Sequence, residues 1–195
     1  MRRGLPTLLI VVGAAATLVI AWRVQRHVRA PAPTTIADAR QALVDATQTL
    51  ARAPGEPAAA WDRAVALRAL GLTHLAADAF EMIAAQGDGG RSLDARTAAR
   101  ALRDDERARA LAQGPQAGCA SFDAALAAAT GALQAGDAGG AEDRAFAVFA
   151  AARRDGCDAR DRPRRALILA ASAARVRGET ALAGAYTGEA RLVMP

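Results

Sequence analysis

Residues 58–85 read AAAWDRAVALRALGLTHLAADAFEMIAA, and this stretch decides the fold. Gly71 divides it into two segments of helical length. In the first, Trp61, Ala64, Val65 and Leu70 fall roughly on one side. In the second, Leu75, Ala76, Ala79, Phe80 and Ile83 form a stripe at i, i+1, i+4, i+5 and i+8. Apolar positions at that spacing share one face of an α-helix. Neither stripe can be buried by one helix alone, so the two helices are expected to fold back on each other at Gly71. Ala76 and Ala79 are small enough for the two backbones to approach closely.

The run GLTHLAADAF resembles the second half of a tetratricopeptide repeat, a helix–turn–helix unit of about 34 residues. The Ala-x-x-x-Phe element of that family corresponds to Ala76 and Phe80, and Trp61 stands where its Trp could. The first helix departs from the pattern: Ala64 and Val65 replace Leu-Gly, and Arg68 replaces Tyr. A generic α-hairpin is the alternative. The resemblance implies a packing module whose grooves hold protein segments.

The pattern recurs faintly. Gly71, Gly136 and Gly178 are each followed five residues later by an alanine: Ala76, Ala141 and Ala183. Phe80, Phe146 and Tyr186 come next. The glycine intervals of 65 and 42 residues exclude a strict array. Between the first two hairpins, residues 91–113 read as a densely charged, exposed helix with Leu93, Leu102 and Leu111 as sparse apolar positions; a partner-binding strip is the alternative. Asp104 and Arg107, Arg100 and Asp104, and Asp105 and Arg109 have the spacing of helical ion pairs. Ser121 is expected to cap a helix ending near Leu133. Gly136, Gly139 and Gly140 turn the chain, and residues 141–153 return. Pro163 suits the first turn of the helix that follows.

All 25 basic residues are arginine, against 20 acidic ones. Five of these arginines lie in the first thirty residues, where no acid occurs, so residues 31–195 are formally neutral. A neutral, aromatic-poor body lacks the electrostatic footprint and stacking platforms of a nucleic-acid binder. Residues 4–22 carry no charge, and as a helix would reach about 28 Å, close to a bilayer core. Arg2, Arg3, Trp22 and Arg23 flank this run as membrane-interface candidates. A retained anchor is expected over a cleaved signal peptide, because the run exceeds the usual signal core and Pro31 follows the small-residue site at Ala30.

Cys119 and Cys157 fall at the open end of the second hairpin, where a disulfide is expected; two unlinked thiols are the alternative. A disulfide implies an oxidising compartment. It therefore places the body on the periplasmic or extracytoplasmic side of an inner membrane crossed once.

His27 and His74, the two histidines, have no paired ligand spacing around them, and no phosphate-binding glycine motif occurs. The sequence thus reads as an all-α chain in three parts: an N-terminal transmembrane helix (1–30), a linker with a first helix (31–57), and an irregular TPR-like hairpin domain (58–195). The expected repeat-packing positions are Trp61, Gly71, Ala76, Phe80, Gly136, Ala141, Gly178 and Ala183. The expected function is a protein–protein interaction scaffold or adaptor, not an enzyme, with no cofactor, no metal, no nucleic acid and no small-molecule substrate. The alternative is a structural accessory subunit of a larger membrane complex, a layout similar to that of tetratricopeptide subunits of secretion translocons.

Overall fold

A computed structural model describes residues 32–87, 89–113, 120–154 and 161–193. The chain divides into two units, Met1–Ala32 and Pro33–Pro195, and the second is the body described here. Among the described residues are eight α-helices: α1 (Ile36–Arg52), α2 (Pro57–Ala69), α3 (Thr73–Ala85), α4 (Gly89–Gln113), α5 (Ala120–Gln134), α6 (Ala138–Arg154), α7 (Asp161–Val176) and α8 (Thr180–Leu192).

Local chemistry sets the helix ends. Thr35 caps α1 through a capping box: its hydroxyl accepts from the Asp38 amide, and the Asp38 carboxylate accepts from the Thr35 amide. Pro57 occupies the first turn of α2, where a missing N–H costs nothing. The three glycines of the faint repeat make the same turn. Gly71, Gly136 and Gly178 have φ of +76°, +86° and +81°. After each, the next amide reaches back five residues: Leu72 to Leu67 O at 3.0 Å, Asp137 to Ala132 O at 2.9 Å, Glu179 to Ala174 O at 2.9 Å. This is the Schellman closure of a helix C-terminus. The same residue then opens the next helix, its carbonyl accepting from the amide of Ala76, Ala141 or Ala183. The recurrent Gly-to-Ala spacing therefore has a backbone cause. Those alanines are buried at the start of each return helix.

Each helix packs on the next within α1–α4 and within α5–α8. The two halves meet where α1 lies on α8 and α3 on α6, so the array closes on itself. One continuous core runs through both halves, from Leu43 and Leu67 through Phe80 and Phe149 to Leu167 and Tyr186. Alanine fills most of the remaining space, which brings the helix axes close. Trp61 is half-buried and meets Phe80 edge-on, with ring centroids 5.0 Å apart. Phe146 and Tyr186 repeat that contact at 5.4 Å.

The structure corrects several expectations. The all-α class stands, but the expected transmembrane helix is not found among the described residues. Among the described residues no helix is long and apolar enough to cross a membrane. The longest, α4, has 25 residues but bears charges along most of its length. Residues 1–30, including Arg2, Arg3, Trp22 and Arg23, lie outside the described residues, and nothing among the described residues supports the expected single-pass inner-membrane placement. No disulfide occurs among the described residues; Cys119 and Cys157 lie outside them. Near that end of the hairpin, Asp123 on α5 accepts from Arg162 of α7 at 2.9 and 3.2 Å. Ser121 lies inside α5 rather than at its cap. Gly139 and Gly140 lie in the first turn of α6, where the Asp137 carboxylate accepts from the Gly140 amide at 2.8 Å. On α2 the buried set is Ala59, Arg63, Ala64, Ala66 and Leu67. That helix has neighbours on several sides, so it has no single apolar stripe.

Candidate functional site

The floor and walls of an open groove come from α3 and α4. Ala95, Ala99 and Leu102 of α4 are buried and seat that helix on α3. This rotation brings Arg96, Arg100, Arg103 and Arg107 onto one side of α4, at i, i+4, i+7 and i+11. Glu81, Ala84 and Ala85 of α3 face them across a groove of about 610 Å³. The small residues Ala84, Ala85 and Ala99 leave the floor open.

Arg103 is held at the centre. It donates to Asp78 and, at 3.2 Å, to Glu81 Oε1, while Glu106 Oε2 lies 3.9 Å away. Partial burial works against its charge, but the Glu81 and Asp78 carboxylates outweigh it and raise the guanidinium pKa. His74 completes the cluster, its Nδ1 3.2 Å from Arg103 Nη1 and its Nε2 3.1 Å from Glu106 Oε1. Arginine carries no acceptor, so the network assigns the ring proton to Nε2, facing Glu106. The cluster ties α4 to α3. By contrast Arg96 and Arg100 are exposed and meet no carboxylate within 4.0 Å among the described residues. Arg107 reaches Asp104 at 3.9 Å, with both side chains largely in solvent.

A second concavity of about 510 Å³ lies between α1 and the start of α8, beside Arg40, Gln48 and Thr180. Behind it sits a buried ionic network. Glu142 of α6 is fully buried, and its Oε2 lies 2.8 Å from Arg40 Nη2 and 2.5 Å from Arg177 Nη2. Its Oε1 accepts from the Tyr186 hydroxyl at 2.7 Å. Burial, reinforced by the Glu142 charge, pushes the Tyr186 phenol far above its ordinary range. The Glu179 hydrogen bond, with Glu142 beside it, raises the Arg177 guanidinium despite its burial. A second buried pair joins Arg63 of α2 to Glu189 of α8 through two bonds of 2.6 Å. Both networks cross between the two halves and are structural.

Of the positions picked from sequence, Trp61, Ala76 and Phe80 come together in the α2–α3 hairpin, whose second helix also forms one side of the groove. Gly136 and Ala141 serve the α5–α6 hairpin, and Gly178 and Ala183 the α7–α8 hairpin. None of the eight lines the groove. The arginine row on α4 lies in the helix read from sequence as a solvated face, with a partner-binding strip as the alternative; that reading does not single out the four arginines. Its i, i+4, i+7, i+11 spacing is visible in the sequence, but dense charge on a helix ordinarily marks a solvated face. Among the described residues no group of three or more His, Cys, Asp or Glu side chains is arranged to hold a metal ion. No known family model, curated protein or solved structure matches the chain.

Proposed function

We propose that the chain is a TPR-like binding scaffold that holds a segment of another protein in the α3–α4 groove, and that it is not an enzyme. The observation carrying this reading is the groove itself: an open trough with an alanine floor and an arginine wall, on the pair of helices at one edge of the array. Helical repeat folds present concave surfaces between helices for this purpose. The Arg103 cluster fixes the groove before any partner arrives, which lowers the ordering cost of binding.

A photo-crosslinking side chain placed at Arg100, compared with one at the exposed Ala128 of α5, tests the reading in native cells. The expected result is one reproducible protein adduct from position 100. That protein, purified, then binds the purified chain in a defined ratio, and Ala85→Trp weakens the complex by filling the groove. Equal adducts from positions 100 and 128, or an unchanged complex with Ala85→Trp, would refute it.

A further inference from the structure

The second concavity and the exposed apolar residues of α7 and α8 point to no particular ligand; the arginine row does. We propose that the occupant of the α3–α4 groove is an acidic amphipathic helix, its carboxylates meeting Arg96, Arg100 and Arg107. This inference rests on the groove being a protein-binding site and names the chemistry of what binds.

Three observations carry it. The first is charge. Four arginines face the groove against two carboxylates, Glu81 and Asp104. Arg103 is already engaged by Asp78 and Glu81, which removes the Glu81 charge from the account. Arg96 and Arg100 have no acidic neighbour within 4.0 Å among the described residues, and Arg107 has only its exposed contact with Asp104. The remaining guanidinium groups are a fork-shaped set of donors for carboxylates.

The second observation is pitch. Along α4, Arg100 lies about 6 Å from Arg96 and Arg107 about 10 Å beyond Arg100, at 1.5 Å per residue. Those intervals match positions i, i+4 and i+11 of a second α-helix laid alongside, which share one face of it. One face of an extended strand repeats every 6.6–6.8 Å or so and falls out of register by Arg107. The third is the floor. Ala84, Ala85 and Ala99 offer no large apolar side chain, so the partner must bring its own small-residue ridge and approach closely, as helices do at interaxial distances of about 8–10 Å. A nucleic acid fits less well: the groove has no aromatic side chain on which a base could stack.

The test uses the full chain and three labelled, alanine-rich helical peptides about twenty residues long. They differ in carrying Glu, Gln or Lys at i, i+4 and i+11. A short DNA duplex serves as a polyanion control, and binding is read by fluorescence anisotropy. The Glu peptide is expected to bind at least about tenfold tighter than the Gln peptide and to weaken with added salt. Arg96→Glu with Arg100→Glu should cost a further factor of about ten or more, while Arg68→Glu, exposed on α2, changes nothing. Both arginines of the double variant are exposed, so unchanged helicity and melting temperature confirm that folding is intact. Equal binding of the Glu and Gln peptides, lost in Ala85→Trp, overturns the acidic inference and leaves the groove as a protein site. Duplex binding as tight as the Glu peptide, with the same dependence on Arg96 and Arg100, overturns it in favour of a general anion surface. Binding by none of the probes removes both this inference and the groove reading beneath it.

Discussion

Breaking the Arg63–Glu189 pair is expected to destabilise the body sharply, whereas replacing both residues is not. The pair spans 126 positions in the chain, and its side chains are 10% and 2% exposed. Both hydrogen bonds measure 2.6 Å, so the guanidinium fork is matched to the carboxylate. Glu189→Ala leaves a buried cation with no counter-charge. Uncompensated charges of this kind cost about 3–5 kcal/mol, against a total stability of about 5–15 kcal/mol for a domain. For a body of this size the melting temperature should fall by about 6–20 °C. Arg63→Met with Glu189→Leu removes both charges and fills the space with apolar atoms. That double variant should lie within about 1 kcal/mol of the parent or above it. Urea unfolding of the parent, Arg63→Met, Glu189→Leu and the double closes the cycle; with each single costing about 3–5 kcal/mol, a coupling of about 5 kcal/mol or more is expected. A Glu189→Ala loss below about 1 kcal/mol would refute the reasoning. So would a double variant as unstable as the sum of the singles, since either result would place the pair in effective contact with water.

Two further perturbations test the turns and the carboxylates. Gly71→Ala and Gly136→Ala each place a Cβ in the left-handed region; nothing crowds the added atom, so backbone conformation alone should cost about 1–2 kcal/mol, measurable by chemical denaturation. Hydrogen bonds from Thr35 to Asp38, from Arg162 to Asp123 and from Arg177 to Glu179 lower those carboxylate pKa values. Each contribution is present above the unfolded value near 4 and is lost as pH falls through the lower folded value. Asp62, raised by burial, works in the opposite sense, its cost being relieved as pH falls. Melting temperature should therefore hold from pH 7 to about 5 and drop below about 4, and Asp123→Asn should flatten part of the drop.

Local structure was legible wherever neighbouring residues supply the physics. The stripe on α3 and the three glycine turns follow from periodicity and from backbone hydrogen bonds spanning five residues or fewer. The constant Gly-to-Ala interval was visible because the residue after each glycine both ends one helix and begins the next. Long-range polar contacts were not legible in the same way. Glu142 stands beside the apolar set Ala141, Ala145 and Phe149, and Glu189 between Tyr186 and Ala190. Carboxylates so close to apolar stripes hint at burial, yet their partners, Arg40 and Arg63 on helices and Arg177 in a turn, are brought near only by the closed array. The end of the second hairpin shows the same limit, with the Asp123–Arg162 contact set by how α7 returns onto α5.

By itself the sequence determined that the body is helical, where its hairpins turn, and that its core is built from alanine with a few large side chains. Tertiary structure alone decided that the first and last helices meet, which ions are buried between the halves, and that four arginines of α4 share a groove with α3. The physical reason is range. Helix periodicity and capping act over a few residues, whereas charge burial depends on which surfaces close over it.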